Sequence, residues 1–214
     1  MKAELISHFG DDLMVVNAAS VSFGKNKDIL DGKDEKLIKY LVEHKHTAPF
    51  RHPQLQFRIE CPIFVERQLF KHQVGLSANS ISGRYVDFSD NYYHVKELRQ
   101  QSSSSKQGSD GVLNRPDLIS QMDHHIASGK KLYKELCDAG VAKEQARVIL
   151  PLCLETQFIW TGSLLAFIYM WKLRLKTDTQ QETREIAQEM LDLVKNIEGN
   201  PFEHILKAWG IDNV

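Results

Sequence analysis

The chain has 214 residues, 42% hydrophobic and 26% charged, with 27 basic residues against 28 acidic ones and a net charge of −1. That balance suits a globular chain with material for a proper core, and it argues against a dedicated nucleic-acid-binding module, which would be basic. Three widely spaced cysteines, Cys61, Cys137 and Cys153, form no CxxC pair and no disulfide framework; with no signal-like apolar core at the start, a reducing, cytoplasmic setting is expected.

Residues 4–16 read as a short strand ending in "LMVV", followed by the small, hydroxyl-rich "NAASVSFGKNK". "DEKLIKYLVEHKHT" puts Leu37, Ile38, Leu41 and Val42 on one helical face, with acids at its start. "QLQFRIEC" alternates, Leu55, Phe57, Ile59 and Cys61 facing one way, which predicts a half-buried strand. Pro62 suits the first turn of a helix over 63–73. The polar segment 98–111, "LRQQSSSSKQGSDG", reads as a mobile surface loop. After Pro116, Leu118, Ile119, Met122, Ile126, Tyr133 and Leu136 mark a long helix stopping near Gly140, and "KEQARVIL" is a short helix running into Pro151. The uncharged run from Gln157 to Trp171 is too short for a bilayer, which takes about 20 residues, so 156–173 reads as a buried apolar helix. An amphipathic helix then ends at Gly199, and Asn200-Pro201 introduces a last short one. The expected fold class is α+β, as a single domain over 1–214.

The chemistry concentrates in 69–88, "LFKHQVGLSANSISGRYVDF". A helix over 63–73 would set Arg67 over Lys71 and Gln68 over His72, giving two cations, an amide and an imidazole on one face. The plainer account of that face alone is a solvated surface. The next ten or so residues add Ser77, Ser80 and Ser82 as hydroxyl donors, Gly83 for close backbone approach, and Arg84 to grip a phosphate with paired hydrogen bonds. Together they suit an anion carrying a planar group, that is, a nucleotide. Arg147 in "ARVILPL" also reads as an arginine snorkelling from a buried helix. Arg174 also reads as a partner of a helix C-terminal dipole, and that is the plainer account of His44 and His46. Tyr85 and Phe88 are expected in the core. No cysteine has a neighbouring histidine or helix start to activate it, so all three read as structural thiols. No histidine set has zinc-like spacing, so no metal is expected; neither GxGxxG nor a Walker loop occurs, so no dinucleotide-binding fold of the usual kind is expected.

The stretch resembles the signature of the flavin-dependent thymidylate synthases: Arg-His-Arg, seven residues, then Ser-Gly-Arg-Tyr. "NAASVSFGK", "HKHTAPFRHPQLQF", "PIFVERQLFKHQ", "ARVILPL" and "KLRLKTDTQQE" resemble further motifs of that family, in order, over most of 15–185. This chain departs in having Lys71-His72-Gln73 for the triplet, eight residues before Ser82, Ser163 and Leu165 in the apolar segment, and Asp178 where a histidine is common. The resemblance implies an α+β fold with a central mixed or antiparallel sheet and long helices. It implies methylation of deoxyuridylate with a one-carbon unit from methylenetetrahydrofolate, FAD reduced by NADPH supplying the hydride, and a homotetramer with shared sites. It assigns Arg174 to the pyrimidine as catalytic residue. Deoxyuridylate would further meet Gln68, Lys71, Ser80, Ile81, Ser82, Gly83, Arg84 and Arg147. Ser22, His46, Lys71, His72, Gln73 and Ser163 would lie on the flavin and folate side. No nucleic acid and no membrane are expected as partners. Two alternatives stay open: a nucleic-acid module using Arg67, Lys71 and Arg84, and a degenerate relative that binds nucleotide without flavin chemistry, motivated by Gln73, Ser163 and Leu165.

Overall fold

The computed structural model describes residues 1–86, 91–104 and 106–212. Strand β1 (Lys2–Phe9) opens the chain, and helix α1 (Asp12–Ser20) comes next. The "LMVV" segment expected in a strand is thus helical. Gly10, at φ +85°, turns the chain, and the Asp11 carboxylate caps the helix by accepting from Met14 N at 2.7 Å. Val15 and Val16 are fully buried, so tertiary packing overrides their β preference. Helix α2 (Gly32–Glu43) starts from a capping box of Asp31 and Asp34, and buries Ile38 and Leu41 as its periodicity predicts.

Strand β2 (Gln54–Pro62) buries Leu55, Phe57, Ile59 and Cys61 in the expected alternation. Pro62 is the N-cap of α3 (Ile63–Leu69), which is shorter than the 63–73 expected: Phe70 is its C-cap and residues 71–73 leave the helix. Edge strand β3 (Leu76–Ser80) comes next. The segment expected as a loop over 98–111 is a hairpin of β4 (Leu98–Gln101) and β5 (Ser109–Leu113), paired Leu98↔Leu113 through Gln101↔Ser109. Its polar sequence hides this because β5 is exposed throughout, so no apolar alternation marks it. Helix α4 (Pro116–Asp138) carries proline in its first turn and buries only Ile126. The short α5 (Lys143–Ala146) runs into a 3₁₀ turn at Arg147–Ile149.

The apolar helix expected over 156–173 is two elements, strand β6 (Glu155–Ser163) and helix α6 (Leu164–Arg174). Thr156, Phe158 and Trp160 alternate inward along β6. The Ser163 hydroxyl then caps α6, accepting from Ala166 N at 3.3 Å. The amphipathic α7 (Gln181–Lys195) and the short α8 (Glu203–Ala208) complete the chain.

Four strands form an antiparallel sheet in the order β1-β2-β6-β3, with β2 and β6 paired along their whole length. This is the α+β architecture expected. Phe57, Trp160, Phe167 and Trp171 pack between the sheet and α6, with Phe167 edge-on to Phe57 at 5.2 Å and to Trp160 at 5.3 Å. Helix α7 lies against β1 and α6. Among the described residues no helix is long and apolar enough to cross a membrane.

The two ends of the chain are joined by Asp12, 3% exposed, whose carboxylate accepts from the backbone N–H of His204 at 2.9 Å and Ile205 at 3.0 Å. Burial raises its pKa from 3.8 to about 6, although those two hydrogen bonds oppose the shift. The native state then keeps a proton that the unfolded chain has released, so Asp12's contribution to stability falls as pH rises from about 4 to about 6. Asp12→Asn is expected to remove that slope, read from urea unfolding at pH 4, 5, 6 and 7. A variant with the wild-type slope would show that Asp12 does not titrate there.

Candidate active site

The last turn of α3 and the C-terminal end of α6 meet at Arg174. Its Nη2 donates to the backbone oxygen of Gln68 at 2.7 Å, and its Nε donates to His72 Nε2 at 3.0 Å. That bond requires a bare Nε2, so His72 is neutral and carries its proton on Nδ1. Burial, and then the charge of Arg174, hold the His72 pKa below its usual range. Burial also lowers the Arg174 pKa, but a guanidinium still keeps its charge at neutral pH. The cavity beside it holds about 310 Å³ and is lined by Gln68, Arg174, Asp178, Thr179 and Gln180, with Gln107 from the β4–β5 turn.

The paired rows of Arg67 with Lys71 and Gln68 with His72 do not form, because α3 stops at Leu69. Arg67 stays exposed on the helix, His72 turns inward to Arg174, and Lys71 and Gln73 face solvent.

The serine-rich segment lies at the other end of β3. Gly75 sits against Ser163 while Ser80 pairs with Phe158, so Ser80 is about 13 Å further along the strand than Leu76. Ser80 Oγ donates to Glu66 Oε1 at 2.7 Å, and Ile81 N continues the pairing to Gln157 O at 2.9 Å. Ser82 Oγ accepts from Arg84 N at 3.3 Å and Arg84 Nε at 3.5 Å. Gly83 is buried in this turn, and the exposed Arg84 guanidinium lies 5.1 Å from the Tyr85 ring centroid. Tyr85, expected in the core, is 75% exposed; the turn after β3 carries it away from the sheet. Phe88 lies outside the described residues. Arg147 is half-buried on its 3₁₀ turn. Within one chain, then, Gln68, His72 and Arg174 come together, while Arg84 and Arg147 stand outside their cavity.

Of the other flavin-side residues, Ser22 and His46 are exposed, the latter edge-on to Tyr40. The visible role of Ser163 is the α6 cap, and Gly75 covers it. Among the thiols, Cys61 is fully buried and pushed up to about 12 by that burial; burial also raises Cys153. Neither is set up as a nucleophile.

Sequence reasoning missed the support behind Gln68. Its side-chain amide donates to Gln180 Oε1, and Gln180 Nε2 donates to Glu182 Oε2 at 2.9 Å. Glu182 also receives Arg99 Nη2 from the hairpin at 2.6 Å and the Tyr93 hydroxyl at 3.2 Å. The one sequence signal was a glutamate at the start of an amphipathic helix, which reads as ordinary dipole compensation.

This architecture is shared with a solved UMP/dUMP methylase, PolB from Streptomyces cacaoi bound with 5-Br dUMP, at TM-score 0.86 and 26% identity over 97% of this chain and 94% of that one. Its class is therefore the fold of a nucleotide methylase. A flavin-dependent thymidylate synthase of Thermus thermophilus is 37% identical over 205 residues, covering 96% of this chain and 73% of the relative. One of Thermosipho africanus is 35% identical over 206 residues, covering 95% and 90%. The model of the family described as thymidylate synthase complementing protein matches residues 4–198, and the chain belongs to that family.

Proposed function

We propose that this chain is a flavin-dependent thymidylate synthase, acting over 1–214 as one catalytic unit, that methylates deoxyuridylate using methylenetetrahydrofolate as carbon donor and NADPH as reductant. The observation that carries this reading is Arg174, oriented by His72 and Gln68 at the wall of a small polar cavity. Among the described residues nothing takes its Nη1, which is left for a ligand. A fixed cation beside a pyrimidine stabilises negative charge developing on ring nitrogen and oxygen as C5 becomes nucleophilic. Gln68 faces the same cavity and would orient the nucleotide. Arg84, the Ser82 hydroxyl and the Gly83 N–H would make a phosphate clamp of donors; Ser80 and Ile81, whose donors are taken by Glu66 and Gln157 O, would hold that turn in place, and Arg147 would add a second guanidinium.

The donor set also fits a flavin dinucleotide. Lys71 has an exposed ammonium with no ion pair among the described residues; Gln73, Ser22 and His46 are exposed, and Val74, next to Gln73 in the chain, is 92% exposed. These residues and His72 would hold FAD, which supplies the hydride when bound and reduced. His72, being neutral, can accept or donate a hydrogen bond there without adding charge.

Arg84 and Arg147 would complete a site with Arg174 across subunits of a homotetramer. Support comes from α4: Met122 is 42% and Leu132 44% exposed, and an apolar groove of about 600 Å³ runs beside Leu118, Ile119 and Met122. A cytoplasmic location accords with the free thiols.

The test is direct. The purified protein is expected to bind FAD, seen as visible absorbance, and to consume NADPH with thymidylate formed only when deoxyuridylate and methylenetetrahydrofolate are both present. Protein that takes up no FAD yet binds deoxyuridylate would favour the degenerate relative instead.

A further inference from the structure

The wall of the Arg174 cavity has its hydrogen-bond polarity set from one end. Glu182 is 5% exposed and accepts from Arg99 and Tyr93 on Oε1 and from Gln180 on Oε2. Burial pushes its carboxyl pKa up, but hydrogen bonds from Arg99, its own backbone N–H and Gln180 outweigh this and leave it below the usual carboxylate range. An ionised carboxylate only accepts. Gln180 must therefore turn its NH₂ to Glu182 and its Oε1 to Gln68, and Gln68 must answer with its own NH₂. The Gln68 Oε1 is left over, and it accepts from no group among the described residues. Beside it, Arg174 uses Nε on His72 and Nη2 on the Gln68 carbonyl, leaving Nη1 as a donor.

We propose that Glu182 and Gln180 are positioning residues that make Gln68 a fixed acceptor for the ring N–H of the pyrimidine, so that the pocket takes uracil and refuses cytosine. This rests on the deoxyuridylate reading of the site. A uracil edge shows carbonyl oxygen beside imide N–H, and a wall of donor (Arg174) beside acceptor (Gln68) matches it. Cytosine presents a bare ring nitrogen at that place, so two lone pairs would face each other. Sites built to hydrogen-bond a specific group reject analogues lacking it strongly, since the site's own polar group goes unpaired.

Glu182→Gln should reverse the relay. Its Oε1 would stay under the Arg99 and Tyr93 donors, its NH₂ would face Gln180, both amides further along would turn over, and Gln68 would offer NH₂ to the ligand. Gln180→Leu, which leaves the Arg99–Glu182 ion pair in place, would let the Gln68 amide turn freely. Equilibrium binding of deoxyuridylate and deoxycytidylate is measured by calorimetry on the flavin-loaded protein. Wild type is expected to prefer deoxyuridylate by about tenfold or more, and that ratio to fall by about tenfold in each variant. A merely structural role would weaken both nucleotides alike. Should Glu182→Gln not fold, Gln180→Leu decides the question. An unchanged ratio in a folded variant, or wild type that binds both equally, overturns the inference and leaves the deoxyuridylate reading standing. Wild type that binds no deoxyuridylate removes both.

Discussion

Replacing Arg174 with alanine is expected to lower thymidylate formation by about two to three orders of magnitude while the protein stays folded. The residue is the last of α6 and only half-buried, so its loss opens no core cavity; the helix is held by Leu164, Phe167, Ile168 and Trp171. In the role proposed for it, Arg174 is one oriented cation beside the reacting ring, and a single such donor is worth about 10²–10³ in rate. Arg174→Lys should recover only part of this. One ammonium keeps the charge but cannot hold His72 Nε2 and the Gln68 carbonyl together while reaching a ligand. His72 offers a second readout. Burial first, and the Arg174 charge second, hold its pKa down. Removing the charge lets His72 take a proton at higher pH, so the acidic limb of any residual activity should move toward neutrality. Product formation, melting curves and the pH–rate profile check these points, and turnover within a few-fold of wild type would reject the role given to Arg174.

How far the sequence disclosed this depends on where the determining interactions lie. Strand β2 was readable because its pattern and its burial are one alternation. Strand β6 was not. It is a central strand running straight into a buried helix, so the apolar residues continue across the junction and no period separates them. The junction signal was Ser163, which caps α6. At the start of the chain the β-branched Val15 and Val16 outweighed Gly10-Asp11, yet the glycine turn and the aspartate cap decide the structure.

The site divides in the same way. Gln68, His72 and Arg174 carried motif information, and the fold joins them. The relay behind them did not, because Arg99 and Glu182 are 83 residues apart and their contact exists only once the hairpin lies over α7. The expected pairing of Arg67 with Lys71 failed for a local reason: the chain must leave α3 early enough to reach Gly75, at φ +76°, and turn into β3. The separation of Arg84 and Arg147 from Arg174 within one chain is the reason the proposed assembly matters to the chemistry.

The second large effect is expected at Gly162, where β3 joins the sheet. A Cβ there would stand 2.3 Å from Gly75 O, 2.6 Å from Leu76 Cδ2 and 3.1 Å from Leu76 Cα. Two of these are backbone atoms, so no rotamer change relieves the contact. The turn cannot yield easily, because Gly75 is held in the left-handed region and its carbonyl accepts from Ser163 N at 3.2 Å. β6 is fixed on its other side by full pairing with β2, whereas β3 is an edge strand. Relief must therefore come from β3 moving outward, which breaks the Leu76↔Gly162 end of its ladder. Overpacking of this kind costs about 3 kcal/mol, and Gly162→Ala should lower stability by that amount in urea unfolding. Gly111→Ala meets nothing within 4 Å and serves as the control. The displaced strand also carries Ser80 and leads into Ser82, Gly83 and Arg84, so deoxyuridylate binding should weaken even where the variant remains folded. A Gly162→Ala protein with wild-type stability and affinity would mean that β3 shifts freely, and that the turn it leads into does not grip the phosphate.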